Sequence, residues 1–105
     1  MLSHRSLLIL SKEARHLMDI SPRHRRLHYQ AWHRGTREAD FLVGGFFDAY
    51  HSQWNDADLD WFERLIEEQD VDILNWAFGR NAPPPHLDGP LVLAMRKLDY
   101  ISIPR

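Results

Sequence analysis

Apolar side chains recur at steps of three and four along much of this chain, which is the spacing of one face of an α-helix. The strongest pattern lies between residues 36 and 54 and forms a broad stripe: Phe41, Leu42, Gly45, Phe46, Ala49 and Tyr50. No useful length alternates between apolar and polar residues, as a half-buried strand would. The pattern predicts an all-α protein, a small single-domain bundle of about five helices joined by short connections.

The first two helices are predicted to meet at a tight corner. Ser21, followed by proline, is a typical helix start. Arg34 is predicted to close this helix, because a cation suits the negative end of the helix dipole, and Gly35 supplies the left-handed backbone that ends helices. Thr36 can cap the second helix, predicted to run to about residue 54, with Glu38 in its first turn. The first helix is predicted to bury one face: Leu27, His28, Ala31 and Trp32.

Two glycines stand inside the predicted second helix. Gly44 and Gly45 each cost about 1 kcal/mol relative to alanine at such positions. No strand precedes them and their spacing differs from that of a phosphate-binding loop. They are therefore predicted to allow the close approach of a neighbouring helix or of a partner.

Three shorter helices are predicted to follow. Asn55 or Asp56 caps the third, Asp70 caps the fourth, and residues 88–90 start the fifth. The predicted inward residues are Leu59, Phe62, Leu65 and Ile66, then Val71, Leu74, Ala77 and Phe78, then Leu91, Ala94, Met95 and Leu98. Residues 1–20 are predicted to be a weakly ordered extension, 21–100 the helical domain and 101–105 a tail, with Met18 as an alternative natural start.

Composition narrows the possible chemistry. The chain has 105 residues, 44% of them hydrophobic, and no cysteine. Disulfides, thiolate metal sites and a cysteine nucleophile are therefore excluded, which favours a reducing compartment. No run is long enough to span a bilayer. No serine or threonine has a nucleophile-elbow context, so we do not expect an enzyme.

Charge is distributed unevenly along the chain. The net charge is -2, yet eight basic residues precede Glu38 against two acids, and from Glu38 to Asp72 eleven acids oppose a single arginine. This predicts a polar molecule with two faces. Nucleic-acid binders are more often basic throughout the binding domain, so nucleic acid is not expected as a partner. A small regulatory or antitoxin-like helical module, binding nucleic acid or another protein, remains the alternative.

Other candidate sites are weaker. His24 and His28 stand four apart, as metal ligands on one helix face would, but no acidic residue lies nearby in sequence to complete a site. We therefore predict no metal. Trp54 and Trp61 are predicted to be more exposed than Trp76, which would suit a protein–protein surface.

The corner between the first two helices carries more charge than capping requires. Two cations and two anions lie within seven residues, beside two aromatic side chains: Arg34, Arg37, Glu38 and Asp40, with Trp32 and Phe41. Helix capping alone accounts for Gly35 and Thr36. The remaining charges indicate a binding role for this connection.

The corner resembles a known family. Trp-His-Arg-Gly-Thr-Arg-Glu, residues 32–38, contains the Arg-Gly-x-x-Glu motif of the succinate dehydrogenase assembly factors, the SdhE (YgfY) family, called succinate dehydrogenase assembly factor 2 in mitochondria. Asp-Val-Asp-Ile-Leu-Asn-Trp, residues 70–76, is similar to a second family motif, Asp-x-Asp-Leu-x-x-Trp. The similarity runs from about residue 23 to residue 79.

This resemblance implies a five-helix bundle that acts as a chaperone. The family binds the flavoprotein subunit of succinate dehydrogenase or fumarate reductase and promotes covalent attachment of FAD to one of its histidines. It implies that FAD is attached to the partner and not held stably by this chain, and that the chain works in the bacterial cytoplasm or, alternatively, the mitochondrial matrix. We expect the chain to be a monomer. An antitoxin assignment also given to the family is secondary.

The resemblance also implies roles for individual residues. Arg34 and Arg37 would pair with partner carboxylates or polar groups, Gly35 would allow close backbone approach, and Glu38 and Asp40 would anchor the other side of the corner. The implied partner-binding set is Trp32, His33, Arg34, Gly35, Arg37, Glu38, Asp40 and Trp76.

Overall fold

A computed structural model describes residues 21–101. It contains five α-helices: α1 Pro22–Trp32, α2 Arg37–Tyr50, α3 Asp56–Leu65, α4 Asp70–Ala77 and α5 Pro90–Arg96, with a 3₁₀ turn at His51–Gln53. No strand occurs between residues 21 and 101, and the all-α prediction is confirmed. The predicted extension, residues 1–20, and most of the predicted tail lie outside the described residues.

Side-chain caps start three of the helices where the sequence predicts them. The Ser21 side chain accepts the backbone N–H of His24, and Thr36 accepts that of Ala39. Asn55 and Asp58 form a reciprocal capping box at α3. The fourth prediction is wrong by one residue: Gln69 holds the cap position of α4 without a side-chain bond, and the Asp70 carboxylate has another partner, described below.

The core forms around α2, which lies against α1. Phe46 and Phe47 of α2 are fully buried. The ring centroid of Trp54 lies 5.5 Å from that of Phe46 and 5.9 Å from that of Phe47, and the Phe62 centroid lies 5.2 Å from that of Phe47. All five helices and the loop before α5 contribute to the buried set: Leu27, Ala31, Leu42, Val43, Leu59, Leu65, Ile73, Trp76, Ala77, Leu87, Val92 and Met95. This arrangement fixes the ends of α1 and α3 beside each other.

The inward faces of the two short C-terminal helices differ in part from the prediction. Val71 of α4 and Phe78, its C-cap, are 59% and 46% exposed, whereas Ile73 and Trp76 face the core. In α5, Val92 is buried and Leu91 only half-buried. Both helices have apolar residues on more than one side, so spacing alone could not identify the buried face over two turns.

The second helix ends earlier than predicted, at Tyr50. The His51 ring stacks on Phe47 with centroids 4.6 Å apart, and the Trp54 N–H donates to the His51 carbonyl at 3.1 Å. This tight turn folds Trp54 back onto the core. The prediction that Trp54 and Trp61 are more exposed than Trp76 is confirmed, since both are half-buried and Trp76 is buried. Trp61 nevertheless packs against the core and donates its indole N–H to the Leu87 carbonyl at 2.7 Å.

The uneven charge of the sequence is partly balanced inside the fold. Arg23 of α1 forms ion pairs with Asp60 and with Glu63 of α3, the latter at 2.9 Å, and Arg26 reaches Glu63 at 2.5 Å. The basic first helix thus lies against the acidic third helix. Two of its three arginines are paired, which leaves less of that helix for contact with nucleic-acid phosphates.

These ion pairs predict a specific pH dependence. The hydrogen bond from Arg23 holds the pKa of Glu63 below its ordinary value. A carboxyl with a lowered folded-state pKa stabilises the fold above its unfolded pKa, about 4.3, and loses that contribution as the pH falls. Urea unfolding between about pH 6 and pH 3 should show a steeper loss of stability in the wild type than in Glu63→Gln. Equal slopes would contradict the assignment.

Candidate functional site

The corner consists of the connection between α1 and α2. Helix α1 ends at Trp32, with His33 as its C-cap, so Arg34 lies beyond the helix and does not close it as predicted. Gly35 has φ +115°, and a Cβ added there would meet no atom within 4 Å. The predicted need for glycine is confirmed, and its cause is the backbone conformation, since the position is not crowded.

The guanidinium of Arg34 contacts the far side of the fold. Nε donates to Asp70 Oδ1 at 2.7 Å, Nη1 to the Ile66 carbonyl at 2.7 Å, and Nη2 to the Glu68 carbonyl at 2.8 Å. The side chain is only 11% exposed. Ile66 is the C-cap of α3, so the favourable cation at a helix C-terminus belongs to α3 and not to α1.

Asp40 supports the same corner from the first turn of α2. Its Oδ1 accepts the backbone N–H of Arg34 at 2.6 Å. Two of the four charges that seemed surplus to capping therefore hold the connection in shape. Their expected direct pairing with a partner is disfavoured by the structure, because Arg34 is nearly covered and both groups already have internal partners.

The other two charges face outward. Arg37 and Glu38 are exposed, and within residues 21–101 neither side chain forms a hydrogen bond or an ion pair. Both lie in the first turn of α2, whose start is fixed by the Thr36 cap. The structure thus presents one cation and one anion, side by side in sequence, on a rigid support.

The two sequence motifs meet in space. Arg34 belongs to the first motif and Asp70 begins the second, and their ion pair joins positions 36 residues apart in sequence. Asp70 is a site residue that sequence reasoning missed, although both motifs were recognised. The signal that could have identified the pair was the joint presence of the two motifs, one with a cation and the other with a carboxylate.

Trp32 packs closely on α2. A Cβ at Gly44 would lie 2.3 Å from the Trp32 ring, so the indole occupies the space left by the missing side chain. The indole N–H donates to Asp48 Oδ2 at 3.1 Å, and Phe41 meets the ring edge-on. The predicted close approach at Gly44 is confirmed, with α1 as the neighbour.

Tyr100 makes the contact at Gly45. The Tyr100 carbonyl lies 3.3 Å from the position of an added Cβ at Gly45. The Tyr100 hydroxyl donates to the Met95 carbonyl at 2.7 Å. The glycine pair therefore admits α1 on one side and the segment after α5 on the other.

The remaining predicted site residues differ in accessibility. His33 is exposed, and its Nδ1 donates to the Tyr29 carbonyl at 2.7 Å. A shallow depression of about 490 Å³ lies beside it, lined by Trp32, Gly35 and Arg37 among others. Trp76, in contrast, is 8% exposed and packs in the core, so it offers a partner little surface.

Neither a metal centre nor a membrane span is evident in the described part of the chain. Residues 21–101 contain no group of three or more histidines or carboxylates able to hold a metal ion. His28 instead lies 3.2 Å from Asp48, and burial, aided by Arg23, lowers the pKa of His24. No helix in this range is both long and apolar enough to cross a membrane.

Comparison with known proteins identifies the family. Residues 25–99 match the family model Sdh5, described as the flavinator of succinate dehydrogenase. The match extends beyond residue 79, where the recognised motif similarity ends, and includes α5. It covers the corner, both motifs and nearly all of the described helices.

Individual relatives agree with this match. The chain is 35% identical over 77 residues to the FAD assembly factor SdhE of Acetobacter pasteurianus, covering 73% of this chain and 71% of that protein. It is 38% identical to the mitochondrial succinate dehydrogenase assembly factor 2 of Schizosaccharomyces japonicus, covering 73% and 53%. It is 36% identical to SdhE of Pectobacterium atrosepticum, covering 55% and 65%. The five-helix chain with its Arg-Gly-x-x-Glu corner belongs to the Sdh5 family, the flavinators of succinate dehydrogenase.

Proposed function

We propose that this protein binds the flavoprotein subunit of succinate dehydrogenase, or of fumarate reductase, and promotes the covalent attachment of FAD to it. The proposal rests on family membership and on one structural observation: Arg37 and Glu38 stand exposed and without side-chain partners among residues 21–101, on a corner that Arg34 and Asp40 hold rigid. Charged side chains on a preformed support suit the recognition of a specific partner surface.

The protein acts as an assembly factor and not as an enzyme. The bond-forming chemistry belongs to the flavin and to a histidine of the client subunit. The assembly factor binds the client arrangement in which these two groups are positioned to react, and so increases its population. FAD stays with the client, and this chain holds no cofactor stably.

The site residues divide into two roles. Arg37, Glu38, His33 and Gly35 form the contact surface, with Gly35 leaving room for a partner backbone. Arg34 and Asp40 are positioning residues, since their side chains bind other parts of the chain. Trp32 packs against Gly44 and so holds the end of α1 on α2, and Trp76 anchors α4 in the core. The protein works as a monomer in the bacterial cytoplasm or, alternatively, the mitochondrial matrix.

Substitutions at the exposed charges should separate docking from folding. Neither side chain forms a hydrogen bond or an ion pair among residues 21–101, so the thermal unfolding of Arg37→Ala and of Glu38→Gln should match that of the wild type within about 0.5 kcal/mol. Co-expression with the flavoprotein subunit, followed by in-gel flavin fluorescence of the denatured subunit, should show strong attachment with the wild type. Each variant should lower it about tenfold, through losses of about 1.4 kcal/mol in docking.

The matched control is Arg25→Ala, which removes an exposed arginine of α1 away from the corner and should leave flavin attachment unchanged. A wild-type protein that neither raises flavin fluorescence nor binds the subunit would refute the proposed function. Wild-type levels of flavin attachment with both Arg37→Ala and Glu38→Gln would refute the assignment of the contact surface and leave the proposed function standing.

A further inference from the structure

A second depression adjoins the corner on the other side of His33. It lies between α1 and the C-terminal end of α3 and has a volume of about 440 Å³. Its lining on one side includes Tyr29 of α1 and His33, the C-cap of that helix. The other side includes Ile66 and Glu67, which follow the last residue of α3. His33 belongs both to this depression and to the contact surface proposed above, so the two adjoin each other.

An ordered aromatic pair stands at this depression. Tyr29 is 63% exposed, and its ring stacks on His33 with centroids 3.9 Å apart and an angle of 16° between the planes. The His33 hydrogen bond to the Tyr29 carbonyl holds the two rings together. The stack covers one face of the Tyr29 ring and leaves the other available to a ligand. The Tyr29 hydroxyl has no hydrogen-bond partner in the described range.

The charges around this depression are unequally satisfied. Arg34 is engaged by Asp70 and two carbonyls, and Arg26 is paired with Glu63 at 2.5 Å. Glu67, in contrast, is exposed and makes no side-chain hydrogen bond or ion pair with any residue from 21 to 101. Two arginines and two glutamates line the depression, and Glu67 is the one of these four charges without a side-chain partner among residues 21–101.

We infer that this depression binds a lysine or arginine side chain of the flavoprotein subunit, an inference that rests on the function proposed above. The alkyl stem of such a side chain can lie over Ile66 while its charged end remains in water or reaches a carboxylate. The cation gains from the free face of the Tyr29 ring and from the Glu67 carboxylate. The site thus extends partner recognition beyond the motif, onto the outer face of α1.

Binding of the purified flavoprotein subunit to the full chain tests this inference. Tyr29→Ala should raise the Kd about tenfold. Tyr29→Phe, which keeps the ring, should have a Kd within about threefold of that of the wild type. Glu67→Lys should weaken binding about tenfold through repulsion, and Glu67→Gln by less. Raising the salt concentration should weaken the wild type more than Glu67→Gln.

The matched control is Phe78→Ala, which removes another exposed aromatic ring, 46% exposed at the C-cap of α4 and not among the residues that line the depression. It should bind as the wild type does. Circular dichroism melting of every variant checks the fold, and retained folding is expected because both tested side chains are exposed.

The outcomes separate this inference from the proposed function. Wild-type binding that persists unchanged in Tyr29→Ala and Glu67→Lys would overturn the cation site and leave the proposed function standing. Equal losses in Tyr29→Phe and Tyr29→Ala would also overturn it, since they would assign the contact to the hydroxyl. A wild-type chain that fails to bind the subunit would overturn both.

Discussion

Replacing Arg34 with alanine should destabilise the protein by about 2–3 kcal/mol and abolish its support of flavin attachment. The substitution removes three hydrogen bonds at once and leaves the Asp70 carboxylate, 26% exposed, without its cation. Removing one partner of a covered ion pair costs more than the pair contributes, because the remaining charge stays poorly solvated. The loss of flavin attachment follows from the changed shape of the corner that presents Arg37 and Glu38.

Urea unfolding and in-gel flavin fluorescence of the co-expressed flavoprotein subunit measure the two effects. Arg34→Lys keeps the charge but loses the planar fork that reaches two carbonyls and a carboxylate, so it should fall between alanine and the wild type in both measurements. Asp70→Asn should lower stability by less than Arg34→Ala. If Arg34→Ala unfolds at the wild-type urea concentration, Arg34 does not hold the corner to the segment between α3 and α4.

Replacing Gly44 with leucine should cost about 2–3 kcal/mol of stability, even though leucine favours helix over glycine by about 1 kcal/mol. The Trp32 ring occupies the position of the new side chain, with the first added carbon 2.3 Å from it. Either α1 must shift along α2 or the indole must leave its place and its bond to Asp48. Both changes disturb the corner, and flavin attachment should fall with stability.

Two controls isolate the contact with Trp32. Ala49→Leu adds the same side chain to an exposed position of α2, so its effect should stay within about 0.5 kcal/mol. In a Trp32→Ala background, Gly44→Leu should cost much less, because the ring that it meets is absent. Thermal unfolding followed by circular dichroism measures the stability of the wild type, the three single variants and the double variant. Additive costs of the two substitutions would show that they do not meet.

The local rules of helix formation could be applied from sequence with success. Ser21, Thr36 and Asn55 each cap the helix that they were expected to start, because capping depends only on a side chain and the three residues after it. Gly35 likewise has the positive φ that its place between two helices predicts. The predicted stripe of α2 is right in part: Leu42 and Phe46 are buried, whereas Ala49 is exposed and the buried Phe47 lies outside the stripe.

The prediction was less successful where two faces of a helix compete. By hydrophobicity and spacing, Val71 of α4 and Phe78 just after it could face the core as well as Ile73 and Trp76. Only the packing of α4 against α2 and α5 decides between the two faces. The sequence spacing of apolar residues has no information about that placement over eight residues. Here tertiary packing selects the buried face.

The role of Arg34 could not be found from its neighbours in sequence. All three groups that its guanidinium contacts lie 32 to 36 residues later in the chain. A local interpretation therefore assigned its charge first to the end of α1 and then to a partner. Glu38, whose surroundings are local, lies in the first turn of α2 as predicted.

The same distance has a consequence for the order of events during synthesis. The corner lies early in the chain, but it acquires its final shape only after Ile66, Glu68 and Asp70 have left the ribosome and α3 and α4 have folded. A partly synthesised or partly folded chain therefore contains the Arg-Gly-x-x-Glu motif without the folded surface of the corner. Under the function proposed above, binding of the client therefore depends on completed folding of α3 and α4.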